Sequence, residues 1–187
     1  NETDLDVNIP QSILDPLARL LDEARRVGVL VVYTKASHRP DGLLESGPQL
    51  AWRLHRFQGE RALFMPWEGS SEICEEVSPQ PQDLVLSKQR QPAFLGTNLD
   101  QVLRSNNIKT TIVTGLATSG CVDATIRMAF WLEYYPVVPI NCVGELHREW
   151  HLCGRYSLLG SRLCIYAVRH RLSFGLASLE SIERYWP

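Results

Sequence analysis

Long apolar runs are missing from this sequence. No stretch approaches the roughly 20 residues that a membrane-spanning helix needs. An excess of charge of either sign is missing too: 19 Lys and Arg face 21 Asp and Glu, a formal net charge of −2. That balance gives no electrostatic reason to expect nucleic acid or a membrane surface as a partner. Paired cysteine spacing is also absent. The five cysteines fall at positions 74, 121, 142, 153 and 164, an odd count with no C-x-x-C, which argues against a disulfide framework or a zinc cluster. Reduced thiols in a cytoplasmic protein are therefore expected, most of them acting as small core residues. The first ten residues have neither a basic nor an apolar stretch of the secretory kind, so no signal peptide is expected. Internal repeats and low-complexity tracts are lacking as well.

What is present is the pattern of one domain, 1–187, large enough to enclose a single core. Apolar residues recur with helical period over 12–27, where Ile13, Leu14, Leu17, Leu20, Leu21 and Ala24 share a face. Pro16 is tolerable there only in the first turn. Gly28 ends that helix, and VLVVYT over 29–34 predicts a strand buried on both faces. Residues 35–80 form a long irregular connection rich in Gly, Pro, Trp and Arg, of a kind that is commonly functional. A short strand over 83–87 leads into Lys88, and a helix over 97–106 takes Thr97 as its N-cap. A buried strand over 110–114 closes on Gly115, and a helix runs from near Cys121 to about Tyr134. Strands over 137–142 and 163–168 and a helix over 176–185 complete the pattern, with Pro139 pushing its strand towards irregularity or a sheet edge. Strands alternating with helices predict an α/β fold: three-layer α-β-α, Rossmann-like, with a mostly parallel central sheet and helices on both faces. In such folds the ligand site lies beyond the carboxyl ends of the strands.

That rule directs attention to TGLATSGCVDATIR over 114–127, where a small-residue turn joins a buried strand to a helix and Cys121 falls near the helix start. A thiol there sits at the positive end of the helix dipole, a setting that suits an anionic sulfur. The N–H groups of the turn are placed to hold an oxyanion. From position alone, a nucleophile and a buried structural cysteine fit this place equally well.

The run G-x-[AT]-T-x-x-C-V-x-x-T-x-R-x-A is met by Gly115, Thr118, Cys121, Val122, Thr125, Arg127 and Ala129. It resembles the nucleophile segment of the isochorismatase-like cysteine hydrolases, which include nicotinamidases, N-carbamoylsarcosine amidase, ureidoacrylate amidohydrolase and isochorismatase. A second block, K-x-x-x-x-x-F-x-G-T-x-L, is met by Lys88, Phe94, Gly96, Thr97 and Leu99 and is similar to the lysine segment of the same superfamily. The order and separation of the two blocks agree with it, and the segment 25–34 is a weaker third match. The resemblance covers about residues 12–142.

The resemblance implies a mechanism. Cys121 attacks a carboxamide or ureido carbonyl and forms a thioester that water hydrolyses. Lys88 lies beside the thiol, a cis peptide joins Leu116 to Ala117, and the N–H groups of Ala117 and Cys121 form the oxyanion hole. It also implies a small-molecule amide or ureide as substrate and a homo-oligomer, dimeric or tetrameric. The cysteine argues for amide or ureide hydrolysis, since isochorismatases proper cleave a vinyl ether without it.

In three respects the sequence departs from the superfamily pattern. The third catalytic residue of the superfamily is an aspartate ending a strand ahead of the first helix. Asp4 and Asp6 follow no apolar run, so either that strand is expected to precede Asn1 or the general base has been lost. The Asp-x-His with which nicotinamidases hold a divalent ion has no counterpart over 34–42, where His38 stands alone, so no metal and no cofactor is expected. His147 and His151 have i,i+4 spacing but no third ligand. Many relatives carry an aspartate where Asn141 stands, and no functional motif is read over 142–162.

Substrate choice in this superfamily comes from the loops over the cysteine. The candidates are Trp52, Phe57, Trp67 and Phe94, with His38 and with Arg39, Arg53 and Arg56 as carboxylate binders. Two other readings stand beside the amidohydrolase: a catalytically silent binding or interaction protein of the same fold, and a redox-responsive protein whose accessible thiol oxidises.

Overall fold

The computed structural model of the chain describes residues 12–37, 46–49, 51, 72–145, 148–160 and 166–168, the stretches 155–160 and 166–168 as backbone. The first helix, α1 (Leu14–Arg26), has Pro16 within its first turn, where a missing N–H costs nothing. It ends on Gly28, whose φ of 75° suits a residue without a side chain. Strands β1 (Val32–Ala36) and β2 (Leu84–Lys88) follow and pair in parallel, with Val32 opposite Leu84 and Ala36 opposite Lys88. The side chain of Arg25 ties the helix to this pair: Nη2 lies 2.6 Å from Asp83 Oδ2 and donates to the Tyr33 hydroxyl at 2.9 Å.

After α2 (Leu99–Ser105) come β3 (Thr110–Ile112), the two-residue β4 (Gly115–Leu116) and a π-helical turn (Thr118–Val122). The turn runs directly into α3 (Asp123–Trp131). Strand β5 (Tyr135–Pro139) pairs in parallel with β3 on one side and with β7 (Tyr166–Val168) on the other. Strand β6 (Val143–Gly144) pairs in parallel with β4, and α4 (Arg148–Gly160) follows it. Every pairing among the described strands is parallel, as the α/β expectation requires.

Two packed clusters make the core. Leu86, Ala93, Phe94, Leu99, Leu103, Ala129 and Tyr134 form one. Val122, Ile126, Val138, Ile140 and Val143 form the other. Helix α3 serves both, since Ile126 and Ala129 are fully enclosed at i,i+3 spacing. Each large apolar side chain buried in this way contributes about 1.5–3 kcal/mol.

The structure corrects several boundaries. The first strand begins at Val32 rather than residue 29, and Val29 and Leu30 are exposed, so it is not buried on both faces. Its only pairing among the described residues is with β2. Strand β3 stops at Ile112, itself exposed, instead of running to residue 114. Strand β5 is neither irregular nor an edge: Pro139 is its last residue, where the missing N–H is tolerated. The N-cap of α2 is Asn98 rather than Thr97, although the Thr97 hydroxyl oxygen accepts the Leu99 N–H at 3.2 Å just before the helix. The helix expected over 176–185 lies outside the described residues.

Candidate active site

Strand parity delivers Lys88. Alternate residues of β2 face inward, so Leu86 and Lys88 are both buried, the lysine at 5 % exposure. An ammonium in that position needs acceptors. Lys88 Nζ has three protons and three partners: the carbonyls of Arg90 at 2.9 Å and Gln91 at 3.2 Å, and Cys121 Sγ at 3.2 Å. The segment after Lys88 folds back so that its own carbonyls hold the ammonium, and the third proton faces the sulfur.

The thiol arrives by a different route. Gly115 has φ 98°, a conformation that favours glycine, and the Leu116–Ala117 peptide after it is cis. The π-helical turn over Thr118–Val122 then sets Cys121 at the entrance to α3, partly exposed, with the neighbouring Val122 buried at 2 %. Two carbonyl-bound N–H groups steady the turn, since Gly120 and Val122 both donate to the Ala117 carbonyl, at 3.0 and 3.1 Å. A further bond joins the lysine segment to this helix: Ala93 N–H donates to the buried Thr125 hydroxyl oxygen at 3.0 Å.

A second set of contacts supports the turn from behind. The Thr118 hydroxyl, fully buried, donates to the Gly144 carbonyl at 2.8 Å and lies 3.0 Å from His151 Nδ1. Glu145, 3 % exposed at the end of β6, presents Oε2 to Ser119, accepting its N–H at 3.2 Å and its hydroxyl at 2.7 Å. Helix α4 packs so close that a Cβ on Gly154 would stand 2.9 Å from Ser119 N and 3.0 Å from Thr118 C. Only glycine allows that approach.

The sequence-predicted residues therefore divide. Lys88, Cys121, Leu116 and Ala117 are brought together at one place. Phe94, expected to face substrate, is instead a core residue: it is 6 % exposed and stacks on Tyr134 with ring centroids 5.6 Å apart. Burial of an aromatic ring between α2 and α3 offers more than an exposed loop position would. His38, Arg39 and Trp52 lie outside the described residues, as do Phe57, Trp67, Arg53, Arg56, Asp4 and Asp6. His151, weighed as half of a zinc pair, turns Nδ1 to Thr118, and His147 is outside the described residues. Among the described residues no group of three His, Cys, Asp or Glu side chains could hold a metal ion.

Glu145 is a site residue that the reading of 142–162 missed. Its sequence signal was a carboxylate directly after the apolar run VPINCVG, at the carboxyl end of a strand. Cys142, three residues earlier, is the structural counterpart of Cys121. It is fully enclosed, and burial pushes its thiol up to about 11 against a smaller opposing pull from Arg19.

This geometry and order of elements match a known family. The isochorismatase domain model matches residues 7–154, and the chain belongs to that family. The ureidoacrylate amidohydrolase RutB of Agrobacterium fabrum is 30 % identical over 144 residues, covering 71 % of this chain and 62 % of the relative. The crystal structure of N-carbamoylsarcosine amidase from Thermoplasma acidophilum superposes with a TM-score of 0.63 at 29 % identity, over 80 % of this chain and 79 % of that one. Nicotinamidase PncA from Bacillus subtilis shares the fold, with a TM-score of 0.68 at 23 % identity over 84 % and 85 % of the two chains. The chain spans between 53 % and 62 % of the length of the curated relatives it matches.

Proposed function

We propose that this protein hydrolyses the C–N bond of a small carboxamide or ureido compound through a thioester on Cys121, without a resident metal. The observation that carries the reading is the 3.2 Å approach of the Lys88 ammonium to the Cys121 sulfur at the mouth of a helix. A buried ammonium whose other two protons are held by carbonyls is fixed in place and compensates the charge of an anionic sulfur.

In this reading Sγ attacks the carbonyl carbon, and the N–H groups of Ala117 and Cys121 receive the developing oxyanion. The C–N bond breaks and ammonia or an amine leaves with one proton. Water then attacks the thioester carbonyl, releasing the acid and restoring the thiol. The relatives called ureidoacrylate amidohydrolase, N-carbamoylsarcosine amidase and nicotinamidase support the choice of amide and ureide substrates. The aspartate that the resemblance supplies as proton acceptor is not assigned among the described residues.

The test is ammonia release from a panel of primary carboxamides and N-carbamoyl amino acids, with and without a chelator. Wild-type turnover that survives EDTA, falls roughly 10³-fold or more in Cys121→Ser, and leaves an acyl adduct on Cys121 by intact mass supports the reading. Absence of turnover across the panel, with Cys121 still alkylating as an ordinary thiol, overturns it in favour of a binding protein of the same fold.

A further inference from the structure

We propose that Cys121 and Lys88 form a reversible covalent cross-link on oxidation: a hydroperoxide converts the thiol to a sulfenic acid, and the lysine nitrogen displaces its hydroxyl to close an S–N bond. The two residues are those of the hydrolase reading, but the cross-link goes beyond that reading and does not depend on turnover of any substrate.

The reacting atoms are already in place. Lys88 Nζ lies 3.2 Å from Cys121 Sγ, within the roughly 3–3.5 Å from which oriented groups react. The nitrogen is held there, because the lysine is buried on β2 and the carbonyls of Arg90 and Gln91 accept its other protons at 2.9 and 3.2 Å. The sulfur is partly exposed, so a molecule as small as a peroxide can reach it. A sulfenic acid is short-lived: a second peroxide takes it to the sulfinic acid, or it condenses with a thiol or a nitrogen. Cys142 is fully enclosed and offers no second thiol. Lys88 stands in contact with the sulfur before the oxidant arrives, so condensation is intramolecular and outpaces the second oxidation.

With hydrogen peroxide the step balances from the ion pair. The thiolate attacks one peroxide oxygen, the O–O bond breaks, and the hydroxide that leaves takes a proton from the Lys88 ammonium to become water. Sulfur has lost two electrons and the peroxide has gained them. Nζ, now an amine, attacks the sulfur. The S–O bond breaks, and the second hydroxide takes a second proton from the nitrogen. One peroxide is consumed, two waters are formed, and Nζ–H is joined to Sγ. The nucleophile is then masked and kept from the irreversible acids. A dithiol reverses the bond by attacking the sulfur, which frees the amine at once and the thiol after the mixed disulfide resolves.

The experiment treats the full chain with hydrogen peroxide, removes the excess with catalase, alkylates the remaining thiols and maps the tryptic peptides by mass. The expected product is one peptide joining the Lys88 and Cys121 segments, uncut after Lys88 and about 2 Da lighter than the sum of its two parts. Dithiothreitol should separate it. Cys74 and Cys153, both exposed, report oxidation at the same peroxide dose. Lys88→Met is expected to abolish the joined peptide and to carry Cys121 to the sulfinic acid, about 32 Da heavier, at a dose where wild type stops at the cross-link. The wild-type map decides the question even where that variant does not fold. Cys121 recovered as sulfinic acid or as a mixed disulfide, with Lys88 cut normally by trypsin, overturns the inference and leaves the hydrolase reading standing. A joined peptide that keeps an oxygen between the two atoms overturns the S–N bond. A cross-link in a protein that turns over no amide or ureide sinks the hydrolase reading alone.

Discussion

His151 donates its Nδ1 proton to the hydroxyl of Thr118 across 3.0 Å. The direction follows from counting protons. The single hydroxyl proton of Thr118 goes to the Gly144 carbonyl at 2.8 Å, and a carbonyl only accepts, so the imidazole nitrogen must be the donor. Neutral imidazole with its proton on Nδ1 and imidazolium both meet this requirement. One buried hydroxyl thus joins the nucleophile turn to β6 and to α4.

Thr118→Val removes both bonds at a position with no exposure and leaves the Gly144 carbonyl buried and unpaired by that hydroxyl. The expected loss is about 1–3 kcal/mol, read as a lower urea midpoint with an unchanged m-value. Gly154→Ala attacks the same contact from the other side by forcing a Cβ to 2.9 Å from Ser119 N. Both variants should slow turnover through displacement of the turn. Wild-type stability in Thr118→Val would show that the hydroxyl is dispensable there.

Lys88→Met tests the ammonium directly. The change keeps the length and bulk of the stem while removing the donor that faces Cys121 Sγ. Iodoacetamide labelling of Cys121 at pH 7, followed by mass spectrometry, should slow by about 10-fold, since the thiolate is the reacting species. Lys88→Arg is not expected to rescue it, because a planar guanidinium cannot reproduce three diverging bonds to Arg90, Gln91 and Cys121. Equal labelling rates in wild type and Lys88→Met would remove the reason for pairing these two residues.

Much of this site was readable because its parts are local. A small-residue turn between a strand and a helix is written in consecutive residues, and so is the lysine segment that follows β2. What failed to read were properties set by distant neighbours. Phe94 looked like a loop aromatic until α2 and α3 enclosed it against Tyr134. Glu145 lies 26 residues from Ser119, and no local spacing announces that contact. The apolar residues over 29–34 suggest a buried strand. Burial depends on what covers a strand, and β1 pairs only with β2 among the described residues.

The cysteines should separate cleanly by reactivity. Cys142 has no exposure and its thiol is pushed up to about 11 by burial. It stays neutral and enclosed throughout the range in which alkylation is run. Cys74 and Cys153 are exposed. At pH 8, iodoacetamide should modify Cys74 and Cys153 in the folded protein and reach Cys142 only after addition of denaturant. Labelling of Cys142 at the same rate as Cys153 without denaturant would contradict its full enclosure.

The Arg25–Asp83 pair predicts how stability responds to acid. The Asp83 side chain is 1 % exposed and that of Arg25 12 %, with Nη2 to Oδ2 at 2.6 Å. Burial pushes the Asp83 carboxyl up, but the hydrogen bonds from Arg25 and from the Gln80 N–H, with the guanidinium charge, outweigh it and hold the carboxyl below its ordinary value. A carboxyl depressed in the folded state contributes stability that is fully present above its unfolded value, about 3.9. That contribution is lost as pH falls through the folded value. Asp83→Asn leaves the guanidinium without its anionic partner and should cost about 3 kcal/mol at pH 7. The gap between wild type and variant, measured by urea unfolding, should be constant from pH 7 down to about pH 5 and then narrow as the medium becomes more acidic. A gap that widened on acidification would mean that Asp83 is stabilised in its protonated form, and the assignment of Arg25 as its dominant partner would have to be withdrawn.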